Sequence, residues 1–296
     1  MTNETANMTS SGMTPSRFLL DFDAVPTAFL NEVYPAIAQA VSMPVYYAVV
    51  LYVALYGIKI YSGKASLTPL DIFQKVLTIF LVFMCLNWYS LPNAIYTVLL
   101  DVMESTRNVI VGGVNTDNFL DAIWNQCSQL AKALMSVGLG SIFIGLMGLL
   151  IYLMMSFVTM IAMMNIVASK MMLAIAMVLL PLLVACLLWA NTRQFFMNWV
   201  SKMLNAVLMY ILTFTMLKFG FQFANGYLQQ ATLAGDGIDL AAITFSQIVF
   251  LVPVFGVLAM FLLKVKEWSA SLSGGVAVQG LSAVTNFARS FLKFKR

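Results

Sequence analysis

The chain has 296 residues, of which 61% are hydrophobic and only 9% charged; its formal net charge is +4 and its mean hydropathy +0.89. A soluble domain carries about 25% charged residues, so this inventory cannot build a water-facing surface. The apolar residues run in blocks long enough to cross a hydrocarbon core about 30 Å thick, which reads as a polytopic helical membrane protein.

Histidine is absent, which removes His-based zinc sites, Ser-His triads and imidazole proton relays. Cys85, Cys127 and Cys186 are odd in number and widely spaced, so no disulfide framework is expected. Nothing in the pattern calls for a cofactor or a metal.

Residues 1–35 lean acidic, with Glu4, Asp21, Asp23 and Glu32 against Arg17. They lack the basic start, short apolar core and small-residue cleavage site of a secretory signal, so none is expected. The first apolar block covers 36–60, holds Pro44 and carries Tyr46, Tyr47, Tyr52 and Tyr56, with Tyr61 just beyond. A polar turn with Lys59, Lys64 and Lys75 follows. The second block, 76–100, is broken by "NWYSLPN". A polar stretch occupies 101–135. Further apolar blocks lie at 137–164, 171–190, 203–223 and 243–263, with "GDGID" between the last two. No internal repeat is visible.

Lys and Arg in short loops set orientation. The turn after the first block, the region of Arg193 and Lys202, and the tail with Lys264, Lys266, Arg289, Lys293, Lys295 and Arg296 all favour the cytoplasmic side. The N-terminus, residues 101–135 and the loop with Asp236 and Asp239 favour the outside. An outside N-terminus and an inside C-terminus require an odd number of crossings. The expected fold is therefore all-α, with about five transmembrane helices. One of the 137–164 and 171–190 segments is then re-entrant, shallow or buried in protein. The domain reading is an external segment 1–35, a membrane domain 36–264 with the external stretch 101–135, and a basic amphipathic cytoplasmic tail 265–296.

The stretch "PLLVACLLWANTRQFFMNW" interrupts this apolar run with one arginine and three aromatics. Asn191 or Thr192 is placed to cap the helix that follows. Phe195, Phe196 and Trp199 suit headgroup depth, so the segment reads either as an interfacial belt or as a docking element. The wider "MLAIAMVLLPLLVACLLWANTRQFFMNWVSKMLNAVLMYIL" resembles the signature segment of the TrbL-like inner-membrane subunits of bacterial type IV secretion systems. An apolar helix with an internal proline there leads to Thr-Arg, a tryptophan a few residues on, and another apolar helix. Pro181, Thr192, Arg193 and Trp199 match that pattern. "QAVSMPVYYAVVLYVALYGIKIYSGKA" and "VPVFGVLAMFLLKVKEWSASLSGG" look like that family's first and last spans. The 101–135 stretch is shorter than the external loop of many members.

The resemblance implies a non-enzymatic inner-membrane platform or conduit for protein or nucleoprotein substrates, supporting conjugation and pilus assembly, and the outside N-terminus that the loop charges favour is then periplasmic. Its implied partners are further copies of the chain, other envelope subunits, pilus subunits and secretion ATPases; in the family motif, Pro181, Thr192, Arg193 and Trp199 would dock a partner. The alternative is a small-solute permease, which needs an inverted repeat or discontinuous helices at a midplane site. A membrane-embedded enzyme lacks both histidine and paired intramembrane carboxylates.

Other signals carry less. "GGVAVQGLS" spaces Gly275 and Gly280 like a phosphate loop but has Leu281 where lysine is needed, so no nucleotide site is assigned. Ser141, Gly145 and Gly148 share a helical face that suits close helix packing, within the chain or between copies. Nine methionines between Met147 and Met177 read as adaptable apolar filler. Lys170 and Lys218 lie near enough to block ends to snorkel. In the tail, Val284, Phe287, Phe291 and Phe294 oppose Arg289, Lys293 and Arg296, which suits a helix on anionic lipid or on a cytoplasmic partner; Lys295 adds to the same basic contact.

Overall fold

A computed structural model describes residues 15–63, 68–112, 119–135, 142–232 and 245–293, and every secondary-structure element among them is helical. In order these are α1 (Pro15–Tyr61), α2 (Pro69–Met84), α3 (Leu91–Val111), α4 (Phe119–Met135), α5 (Ile142–Val178), the single-turn α6 (Leu180–Val184), a 3-10 turn (Ala185–Leu187), α7 (Arg193–Thr232) and α8 (Phe245–Lys293). Three helices, α1, α5 and α7, are long and apolar enough to cross a membrane. At 1.5 Å per residue α1 is about 70 Å long and α7 about 60 Å, so each exceeds a hydrocarbon core.

Local chemistry explains the main starts and stops. Pro69 sits in the first turn of α2, where its missing N–H costs nothing, and Thr68 caps that turn by accepting from the Asp71 N–H. The Thr68 hydroxyl in turn donates to the Asp71 carboxylate. Helix α1 instead contains Pro26, Pro35 and Pro44 and still runs unbroken. Its buried positions Leu30, Tyr34, Ala38, Val45 and Val49 make one stripe, while Met43, Tyr47 and Ile58 on the other faces are more than 60% exposed. That pattern belongs to a helix with protein on one side and lipid on the rest.

The chain divides into two compact units. The first contains Met1–Asp23, Met103–Ala168 and Met209–Trp268. Its α1 start is anchored by the Ser16 N–H donating to the Asp121 carboxylate at 2.9 Å, an anion at a helix N-terminus. Trp124 of α4 stacks near Tyr152 of α5, with centroids 5.8 Å apart. Buried Asn165 donates to the Leu262 carbonyl at 2.8 Å, tying α5 to α8. Helices α7 and α8 approach closely, and a Cβ on Gly220 would stand 2.6 Å from both Leu258 methyls.

The second unit contains Ala24–Val102, Ser169–Leu208 and Ser269–Arg296. The break between α2 and α3 packs against α1 here. Trp88 is 2% exposed, donates from Nε1 to Asn31 Oδ1 at 2.7 Å, and lies 4.9 Å from the Tyr34 ring. The Tyr34 hydroxyl donates to the Cys85 carbonyl. Non-helical backbone within an apolar block is tolerated where protein covers it, and this aromatic knot does so.

Two expectations change at this level. The blocks 137–164 and 171–190 are not separate elements, because α5 runs through both from Ile142 to Val178 and only the remainder forms α6 and the 3-10 turn. No proline or glycine lies between Met164 and Met171 to stop the helix. The expected separate tail helix is likewise a continuation of α8, which reaches Lys293 without interruption. The "GDGID" loop, Ser141, Phe294, Lys295 and Arg296 lie outside the described residues.

Candidate partner-docking hairpin

The hairpin from α5 to α7 belongs wholly to the second unit, and Pro181 initiates its geometry. Proline has no N–H and its ring crowds the carbonyl four residues back, so α5 stops at Val178 and the chain tightens. The Leu179 N–H bonds to the Ala176 carbonyl at 3.2 Å, three residues back instead of four. That leaves the Ala176 oxygen open on one side. Trp199 fills the opening: its Nε1 donates to Ala176 O at 2.6 Å, its side chain is 7% exposed, and its ring lies 5.1 Å from that of Phe196. Pro181 and Trp199 are thus two halves of one lock between α5 and α7.

Thr192 closes the turn. Its hydroxyl donates back to the Cys186 carbonyl at 2.8 Å and more weakly to Trp189 O at 3.3 Å. The expected capping of α7 by this side chain is therefore corrected: the hydroxyl points its hydrogen at the preceding turn. Arg193 is the first residue of α7 and is exposed. Among the described residues its side chain makes no hydrogen bond or ion pair. A cation at the positive end of a helix dipole is unfavourable by roughly 0.3–1 kcal/mol, so Arg193 does not stabilise the helix it begins.

The structure separates the motif into three internal residues and one outward one. Pro181 is buried, Trp199 is buried with its donor occupied, Thr192 faces its own turn, and Arg193 alone is offered to the surroundings. The indole N–H that the sequence reading assigned to a partner is engaged by Ala176.

A second cluster of this unit was missed in sequence. Lys75 of α2 lies 5.6 Å from the Tyr52 ring centroid and 5.9 Å from that of Tyr56. Trp189 meets Tyr52 edge-on at 6.3 Å. The tyrosine repeat and Lys75 were both visible, but their pairing depends on the fold of the intervening turn.

Among the remaining candidates, Lys218 has a protein acceptor. Half-buried in the first unit, it donates to the Val111 carbonyl at 3.0 Å and lies 5.8 Å from the Phe119 ring. It thereby neutralises the carbonyl end of α3. Lys170 is not between two helices but inside α5, 5% exposed. Gly145 has nothing within 4 Å of an added Cβ among the described residues; Gly148 is buried. The methionines divide, with Met155 and Met177 buried and Met160 and Met164 more than half exposed. Met160, Met163 and Met164 line an apolar cavity of about 550 Å³ with Pro15, Phe18 and Trp124. Arg289 and Lys293 lie on α8. No cluster of metal-ligating side chains occurs among the described residues.

Long apolar helices exposing large hydrophobic residues on most faces, joined by a proline-set hairpin, define a helical membrane protein. The model of one family, the TrbL/VirB6 plasmid conjugal transfer protein, matches residues 49–265 and so spans the hairpin whole. The chain belongs to that family, which makes it a conjugal-transfer component of the type IV secretion kind. None of the curated proteins matches it.

Proposed function

We propose that the chain is a non-enzymatic platform or channel subunit of the bacterial inner membrane, supporting translocation of protein or nucleoprotein substrates and pilus biogenesis. Arg193 is the observation that carries the partner-docking role. It is an exposed arginine, unpaired among the described residues, on a turn whose other motif residues all lock its position. A planar five-donor guanidinium held on a rigid turn suits bidentate recognition of a carboxylate on another subunit or on a secretion ATPase.

Five crossings, from α1, α2 with α3, α5, α7 and α8, are part of the same reading. The merging of two apolar blocks into α5 supports the odd number that the loop charges require. The N-terminus is then periplasmic and the tail cytoplasmic, where Arg289, Lys293, Lys295 and Arg296 meet anionic lipid or a partner. Self-association is assigned to the face of α5 around Gly145, where no neighbour among the described residues stands within 4 Å of an added Cβ.

Conjugation frequency together with co-purification tests this. Arg193→Glu in the full chain should keep its level in the membrane, abolish transfer, and lose at least one envelope subunit or ATPase from the purified complex. Normal transfer with an intact complex would remove the docking role.

A further inference from the structure

We propose that a groove beside Trp199 holds an acyl chain of an anionic phospholipid, whose phosphate is met by Lys202 and Asn198. The same proline that ends α5 leaves this groove. Its walls are apolar, from Ile175, Leu179, Leu183 and Phe195, and its volume is about 280 Å³. Ile175, Leu179 and Phe195 are 52%, 45% and 61% exposed, so the groove opens outward.

Two polar side chains stand on one rim. Asn198 and Lys202 are four residues apart on α7, hence on one face. Both are exposed, and Lys202 makes no hydrogen bond or ion pair among the described residues. The Asn198 Oδ1 accepts from Gln194 Nε2 at 3.1 Å, so the amide N–H groups of Asn198 are not used in that bond. No carboxylate lines the groove. The site therefore offers one cation, one amide donor and an apolar slot, which is the complement of a phosphodiester carrying a hydrocarbon chain.

Charge and lining favour a lipid: the groove is apolar and opens outward, with Lys202 and Asn198 on its rim. A flexible acyl chain fits part of its length and leaves the rest in the bilayer. Arg193 takes no part: nine residues before Lys202, about two and a half turns, it projects from the opposite side of α7. The lipid site is thus separable from the docking role of Arg193.

The test uses purified full-length protein in mixed micelles with equal dioleoyl phosphatidylglycerol and dioleoyl phosphatidylcholine, read by native mass spectrometry. The wild type should retain the glycerol lipid over the choline lipid by at least about fivefold, the worth of one base at an anionic surface. Lys202→Gln should lower that ratio about fivefold while the detergent-unfolding midpoint stays put. Leu183→Trp, which fills the slot, and Ile175→Asn, which makes an exposed wall polar, should each lower retention of both lipids. The basic tail binds equally in all variants and cancels in the comparison. A wild-type ratio near one, or a ratio unmoved by Lys202→Gln, overturns the proposal. So does displacement of the lipid by equimolar glycerol phosphate, which marks a phosphate site without a chain. Loss of a co-purifying subunit in Ile175→Asn with lipid retention intact assigns the groove to protein and overturns it as well.

Discussion

Replacing Trp199 with phenylalanine removes one hydrogen bond while keeping most of the apolar ring, which makes it the sharpest probe of the α5–α7 lock. The indole N–H reaches Ala176 O at 2.6 Å from a side chain that is 7% exposed. Interhelical hydrogen bonds in membrane proteins contribute about 0.6 kcal/mol on average and about 1.7 at most. The Ala176 oxygen keeps its bond from the Leu179 N–H at 3.2 Å, so no unsatisfied acceptor is added to the loss. Phenylalanine also leaves a small gap beside Phe196, so the expected destabilisation is roughly 1–2 kcal/mol, a five- to thirtyfold shift in the folded-to-unfolded ratio. Unfolding of the purified protein by SDS titration in micelles reads this directly. Pro181→Ala should be sub-additive with Trp199→Phe, because restoring an N–H at 181 lets α5 continue and closes the opening that Trp199 fills. Wild-type stability for Trp199→Phe, or strict additivity with Pro181→Ala, would show that the two residues do not form a lock.

Arg193→Lys should leave stability unchanged yet cut conjugative transfer at least about tenfold, equivalent to roughly 1.4 kcal/mol of coupling, because an ammonium cannot reproduce the fork; equal transfer in a mating assay contradicts this. Gly220→Ala should cost about 1–3 kcal/mol by overpacking, since its Cβ meets Leu258 at 2.6 Å, and adding Leu258→Ala should return part of that in the same titration. Gly145→Leu should fold normally but shift the oligomer to smaller species on size-exclusion with light scattering. Burial pushes the Cys127 thiol up to about 12, so at pH 7 it should resist maleimide, and folding stability should be intact below pH ~8.5, the ordinary thiol value, and fall as pH rises from there towards 12. With Cys186 replaced, cysteines introduced at Asp117 and Asp236 should label from outside spheroplasts and one at Lys293 should not.

Composition and block length were enough to read a helical membrane protein, because the cost of unsatisfied backbone in lipid leaves few alternatives. The family segment was equally readable, since Pro181, Thr192, Arg193 and Trp199 lie close together in sequence. Their division of labour was not. Whether Trp199 faces outward or inward depends on the Ala176 carbonyl, 23 residues away, and on the register between two helices. Lys218 could not be matched with Val111 for the same reason, at a separation of 107 residues. Gly220 carried no distinguishing neighbour in sequence, whereas Gly145 sat in a small-residue pattern; only the packing shows which one another helix approaches. The continuity of α5 was obscured by Lys170, because a charge in an apolar run reads as a boundary even when it is buried inside a helix.

The three prolines of α1 share a spacing of nine residues, at 26, 35 and 44. Nine residues are about two and a half turns, so each ring projects from the side opposite its predecessor. A proline bends a helix away from its own side, and successive bends here oppose one another. Helix α1 can therefore keep one direction through all 47 residues while lacking three of its hydrogen bonds. It behaves as a jointed rod rather than a bent one, with the middle joint, Pro35, set one residue after the Tyr34 that pins it to the knot.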